Sequence, residues 1–95
     1  MAFKILNAVT ANGTSAAVSL PDFDPAFPRY STLYAYGNWG ASATVAVEVS
    51  PDGQTWFPVN TFNANSYFVV SISFSHIRAT VANANGSTSL NLIIT

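Results

Sequence analysis

The sequence contains no cysteine, and only 7% of its 95 residues are Asp, Glu, Lys or Arg, against about 25% in ordinary soluble domains. The absent thiols exclude disulfides, thiolate zinc sites and cysteine nucleophiles, so stability has to come from burial. Three basic and four acidic residues leave a formal net charge of −1. That is too little cation to hold a phosphate backbone through counterion release, so no nucleic-acid partner is expected. No apolar run approaches the ~20 residues of a spanning helix, so no membrane partner is expected either. The first residues, Met1-Ala2-Phe3-Lys4-Ile5-Leu6-Asn7, lack the apolar stretch of a signal peptide. They read as the start of the folded domain, made in a cytoplasm.

Groups that do chemistry are equally scarce. There is a single histidine and a single lysine, whereas a nucleophile needs a base beside it. His76, in Phe74-Ser75-His76-Ile77-Arg78, reads as a strand or turn histidine with local hydrogen bonds. Transition-metal sites have no cluster of His or Cys to draw on. The carboxylates are Asp22, Asp24, Glu48 and Asp52. Asp22 and Asp24 flank one residue beside prolines and read as turn caps; a Ca²⁺ site would need about six to eight oxygens. Asp52 falls in a turn and Glu48 on the exposed face of the same hairpin, which is a poor basis for a glycosidase pair. No catalytic residue, metal or cofactor is therefore expected, and the chain is not expected to be an enzyme.

What is present is alternation: 49% of residues are hydrophobic and 14% aromatic, arranged in short period-2 runs bounded by Asn, Gly, Pro or Asp. The pattern predicts about eight strands, over Phe3–Thr10, Ser15–Leu20, Thr32–Tyr36, Thr44–Ser50, Thr55–Val59, Tyr67–Phe74, His76–Ala82 and Ser89–Thr95. Turn signals every 8–12 residues predict an all-β fold, a single antiparallel β-sandwich of Ig-like or jelly-roll type spanning 1–95. Val45, Val47 and Val49 share one face of their strand, Ile77, Ala79 and Val81 one face of theirs, and Leu90 and Leu92 one face of the last. These residues make the expected core. Pro51-Asp52-Gly53-Gln54 suits the turn of a hairpin, and Pro58 in the second strand places that strand at a sheet edge. A second hairpin is expected from His76–Ala82 to Ser89–Thr95, around Asn85-Gly86.

Two features suggest binding. The segment from Pro21 to Tyr30 holds three prolines and three aromatics, which forbids helix and sheet interior and makes it an arm or crossover loop. Phe23, Phe27 and Tyr30 are candidate anchors for a partner, or else plug one end of the sandwich. Trp39, between Gly37 and Gly40, is either an interface or sugar-stacking residue or a ring folded over the sandwich end. Trp56 reads as a core or cross-strand packing residue.

The stretch Val47-Glu48-Val49-Ser50-Pro51-Asp52-Gly53-Gln54-Thr55-Trp56-Phe57-Pro58-Val59, followed by Ile77-Arg78-Ala79 and the Asn85-Gly86 turn, resembles small β-sandwich accessory virion proteins of tailed bacteriophages. The Ser-x-Asp-Gly-x-x-Trp hairpin is also similar to turns in discoidin-like sandwiches and to a shortened Asp-box, and it carries no catalytic residue across. The resemblance implies a capsid decoration, or cement, protein located on the virion. Such a protein associates with itself, commonly as a trimer, and binds the major capsid protein or another virion protein. No attachment motif matches residue by residue. The alternative reading is a carbohydrate- or receptor-binding module of a phage tail or adhesin.

Overall fold

In a computed structural model, which describes residues 3–19, 30–71 and 74–95, the chain is all-β. Among these residues nine strands are present: β1 (Phe3–Val9), β2 (Gly13–Thr14), β3 (Val18–Ser19), β4 (Tyr30–Asn38), β5 (Thr44–Ser50), β6 (Phe57–Phe62), β7 (Ser66–Ser71), β8 (His76–Ala82) and β9 (Ser89–Ile94). Among the described residues no helix is long and apolar enough to cross a membrane.

The strands form two antiparallel sheets. The first runs β1-β9-β4-β7; the second runs β2-β8-β5-β6, with β3 also paired to β8. When β2 and β3 are counted as one interrupted strand, the pairing is nested: first with last, second with second-last, and so inward to the β5–β6 hairpin. That is the strand order of a jelly roll, which settles the choice between the two sandwich types.

Period-2 alternation decides the inner faces. Val45, Val47, Ile77, Ala79, Leu90, Leu92, Leu33 and Ile94 are completely buried between the sheets, and Val81 and Ala35 nearly so. Val49, at the end of its strand, packs against this core from a half-buried position. The expected faces of β5, β8 and β9 are therefore the observed ones, except at Ser50. Its backbone parity points outward, yet the following turn buries it. Ser50 Oγ accepts from the N–H of Asp52 and of Gly53, and donates to Asp52 Oδ1 at 3.0 Å.

Several expected elements differ. The turn at Asn85-Gly86 does not close a hairpin, because β8 pairs with β5 while β9 pairs with β1 and β4. It carries the chain from one sheet to the other, held by Ser87 N–H on Asn85 Oδ1 at 2.8 Å and Asn85 N–H on Thr88 Oγ1 at 2.9 Å. The strand expected over Ser15–Leu20 is split: Ser15 exchanges bonds with Ala79 through backbone and side chain, and β3 resumes at Val18. Strand β6 begins at Phe57 rather than Thr55, since Asp52 Oδ1 captures the N–H of Gln54 and Thr55 at 2.8 and 2.9 Å. Strand β4 runs on to Asn38. Gly37 permits this, with φ +138 and no room for a Cβ against the Ser89 carbonyl.

Candidate interaction surface

The two outer faces differ in chemistry. On the second sheet, alternation turns Ala46, Glu48, Arg78 and Thr80 outward. Arg78 Nε donates to Glu48 Oε1 at 3.0 Å, and its guanidinium lies 4.0 Å from the centre of the Trp56 ring. Thr14 and Thr80 hydroxyls meet at 2.9 Å. Trp56 is thus a packing residue on the outside of the sheet and not part of the core. Glu48, Arg78, Thr14 and Thr80 on this face thus find their partners within the chain.

On the first sheet, the buried Leu33, Ala35, Leu92 and Ile94 place Thr32, Tyr34, Tyr36, Asn91 and Ile93 outward, and the register aligns Tyr67 with Tyr34 and Val69 with Thr32. One cross-strand row, Lys4–Ile93–Tyr34–Tyr67, crosses all four strands, a span of ~14 Å at the usual strand spacing. The Tyr34 and Tyr67 rings sit 6.1 Å apart at 37°, a tilted pair stabilised by about 0.5–1.5 kcal/mol. Tyr67 is 65% exposed and Val69 56%. The only charge in the row is Lys4, at its far end. Among the described residues this face carries the largest group of exposed aromatic side chains, and none of those residues covers it.

Trp39 follows β4 directly, half-buried against the core, with its indole N–H donating to Asn65 Oδ1 at 2.8 Å. The same oxygen accepts from the Gly37 N–H at 3.0 Å. The ring therefore closes one end of the sandwich and ties β4 to the β6–β7 loop. Tyr30 opens β4 opposite Ser71. Phe23 and Phe27, with Asp22 and Asp24 and the rest of the arm, lie outside the described residues. The sequence reading passed over Tyr34, Tyr36, Tyr67 and Val69. The signal was there in Thr32-Leu33-Tyr34-Ala35-Tyr36, where rings occupy the positions that an ordinary half-buried strand gives to polar groups.

The reactive groups stand apart from this face. Ser75 Oγ lies 2.7 Å from His76 Nδ1 and 3.2 Å from the Ser50 carbonyl, which receives its proton. The local hydrogen bonding expected of His76 is what is seen. The Asp52 carboxyl is held below its ordinary value by the Thr55 and Gln54 N–H groups, then by the Ser50 hydroxyl. Among the described residues no cluster of His, Asp or Glu is arranged to hold a metal ion. An open groove of about 440 Å³ beside β1 is lined by Ile5, Leu6, Val9 and residues 11–16; no titratable side chain is among them.

No family model matches the chain, and no curated protein matches its sequence. Its fold is that of a solved structure, the SPBc2 prophage-derived protein YomS, with a TM-score of 0.74 and 14% identity over 99% of this chain and 90% of that one.

Proposed function

We propose that this chain is a non-catalytic accessory protein of a tailed-phage virion, most specifically a capsid decoration protein, which associates with copies of itself and docks on the particle through the outer face of its first sheet. The observation that carries the reading is that face: among the described residues, aromatic and aliphatic side chains across three neighbouring strands, with the one charge of Lys4 at the margin on the fourth. Contiguous exposed apolar surface of this kind marks association sites, and burying it contributes about 25 cal/mol per Å² before the cost of association. The prophage origin of the neighbour with the same fold, and the resemblance of the Val47–Val59 hairpin to phage sandwiches, support the virion setting. Many copies on one shell make a modest single contact sufficient.

The test is co-sedimentation of the purified chain with particles of the phage or prophage that encodes it. The native chain is expected in the particle fraction, and Tyr34→Ser with Tyr36→Ser is expected to stay in the supernatant while still folding, its melting temperature lowered by about the few degrees that loss of the Tyr34–Tyr67 pair implies. Equal sedimentation of both proteins would overturn the role of the face. The same row of rings also favours a second reading, a sugar-stacking platform, as in lectin jelly rolls. Binding of the isolated chain to a glycan array, with no binding to particles, would favour that reading over decoration.

A further inference from the structure

Each sheet has two edges, and sheet proteins guard edges against pairing with other chains by shortness, bulges, proline or charge. Three of the four edges here are guarded. Strand β1 carries Lys4 and two register shifts. Strands β2 and β3 are two residues each. Strand β6 contains Pro58 and a register shift opposite Val47 and Glu48. Strand β7, Ser66-Tyr67-Phe68-Val69-Val70-Ser71, has none of these devices. It makes an unbroken six-residue ladder with β4, contains no charge, proline or glycine, and among the described residues nothing pairs with its other side.

One side chain of β7 is out of keeping with a finished edge. Phe68 pairs with the completely buried Leu33, so it faces the inner side of the sandwich, yet it is 36% exposed. Tyr67 and Val69 point to the other face and are more exposed still. An antiparallel neighbour has to keep inner residues opposite inner ones, because a one-residue slip turns every side chain over. When the neighbour is another β7 related by a twofold axis at Phe68, Phe68 faces its own copy, and Tyr67 faces Val69 of the second chain. These are an aromatic pair and aromatic–β-branched pairs, the combinations that stabilise sheets.

Resting on the reading above that the chain assembles with its own copies, we infer that β7 pairs antiparallel with β7 of a second copy about a twofold axis at Phe68. The two four-stranded sheets become one of eight. The contact is isologous, so it closes at two and does not propagate. It also places the tyrosine rows of both copies side by side, doubling the width of the face offered to a partner.

The absence of native cysteine makes the test clean. Opposed residues of antiparallel strands have Cα atoms about 4.5–5.5 Å apart, within disulfide reach. Phe68→Cys is therefore expected to form a covalent dimer on mild oxidation, and Thr61→Cys on the guarded β6 edge is not. In sedimentation at high micromolar concentration the native chain is expected as a dimer. Phe68→Lys, which sets two cations against each other on the axis, is expected to weaken that dimer roughly tenfold or more. A monomeric native chain would overturn the pairing, as would a trimer or dimer that ignores Phe68→Lys and yields no Phe68→Cys disulfide. If Phe68→Lys does not fold, the disulfide decides alone. A monomer that still sediments with particles sinks the pairing and leaves the docking face standing; a dimer that ignores particles does the reverse.

Discussion

The outer faces of the two sheets cover the same core with opposite strategies. Over the second sheet, the Glu48 carboxylate, the Arg78 guanidinium and the Trp56 ring form one stack, and the pairing Thr14–Thr80 closes the margin. Over the first sheet, rings and aliphatics stand on neighbouring strands, and among the described residues the one charge in their row is Lys4 at its end. Of the seven Asp, Glu, Lys and Arg residues in 95, Glu48 and Arg78 stand over the second sheet and Lys4 at the margin of the first. Among the described residues the two outer faces therefore differ, one carrying an ion-paired stack and the other a row of exposed rings.

The comparison breaks most severely if the shared core is opened. Leu33, completely buried beneath the tyrosine row, is expected to cost about 2–5 kcal/mol of stability on replacement by Ala, and Val47 beneath the Arg78 stack about 1–3 kcal/mol. Chemical denaturation reads both, and unchanged midpoints would mean that the strands face the other way. Removal of the stack should be felt next. Arg78→Ala is expected to lower stability by about 1 kcal/mol, since a half-exposed ion pair and cation–π contact are each modest. Arg78→Lys should recover only part of this, because a point charge cannot lie flat on the indole. Neither change should alter association, which light scattering checks; a shift in mass would show that the second face also takes part.

The smallest effect concerns acid. Asp52 is ionised more readily in the folded chain than its ordinary value of 3.8 allows, because backbone N–H groups and Ser50 bond to the charged form. A lowered native value means that its contribution is fully present above that ordinary value and is lost as pH falls through the native one. Thermal melts of Asp52→Asn are therefore expected to show a shallower loss of stability below about pH 4 than the native protein. Parallel curves would remove Asp52 from the account.

Local patterns were legible and long-range ones were not. The valines of β5, the alternation of β8 and the Asp52-Gly53 turn each express their structure within a few residues, so the sequence alone places them. Nothing local in Phe3–Val9 or Ser89–Ile94 says that these strands pair with each other across the whole chain, and nothing at Asn85-Gly86 distinguishes a hairpin from a step between sheets. Gly37-Asn38 has the composition of a loop, but Gly37 is needed inside a strand because the Ser89 carbonyl leaves no space for a side chain. The contiguous tyrosine-bearing face was missed for a related reason. Whether Tyr34, Tyr36 and Tyr67 are scattered or contiguous depends on which strands become neighbours, and that is fixed by the nested pairing.

That nesting has a kinetic consequence. The β5–β6 hairpin closes a short loop, whereas β1 and β9 have to find each other over almost the full length of the chain, and the entropy of loop closure rises with length. Folding is therefore expected to begin at the Ser50–Phe57 bend and advance outward pair by pair, with the two ends joining last. Topologies of such high contact order fold slowly, on the order of milliseconds to seconds. Until the ends meet, β9 leaves one side of β4 unpaired, and the tyrosine-bearing sheet is incomplete. The face proposed for docking would then be the last part of the fold to form, so a partly folded chain would not present it.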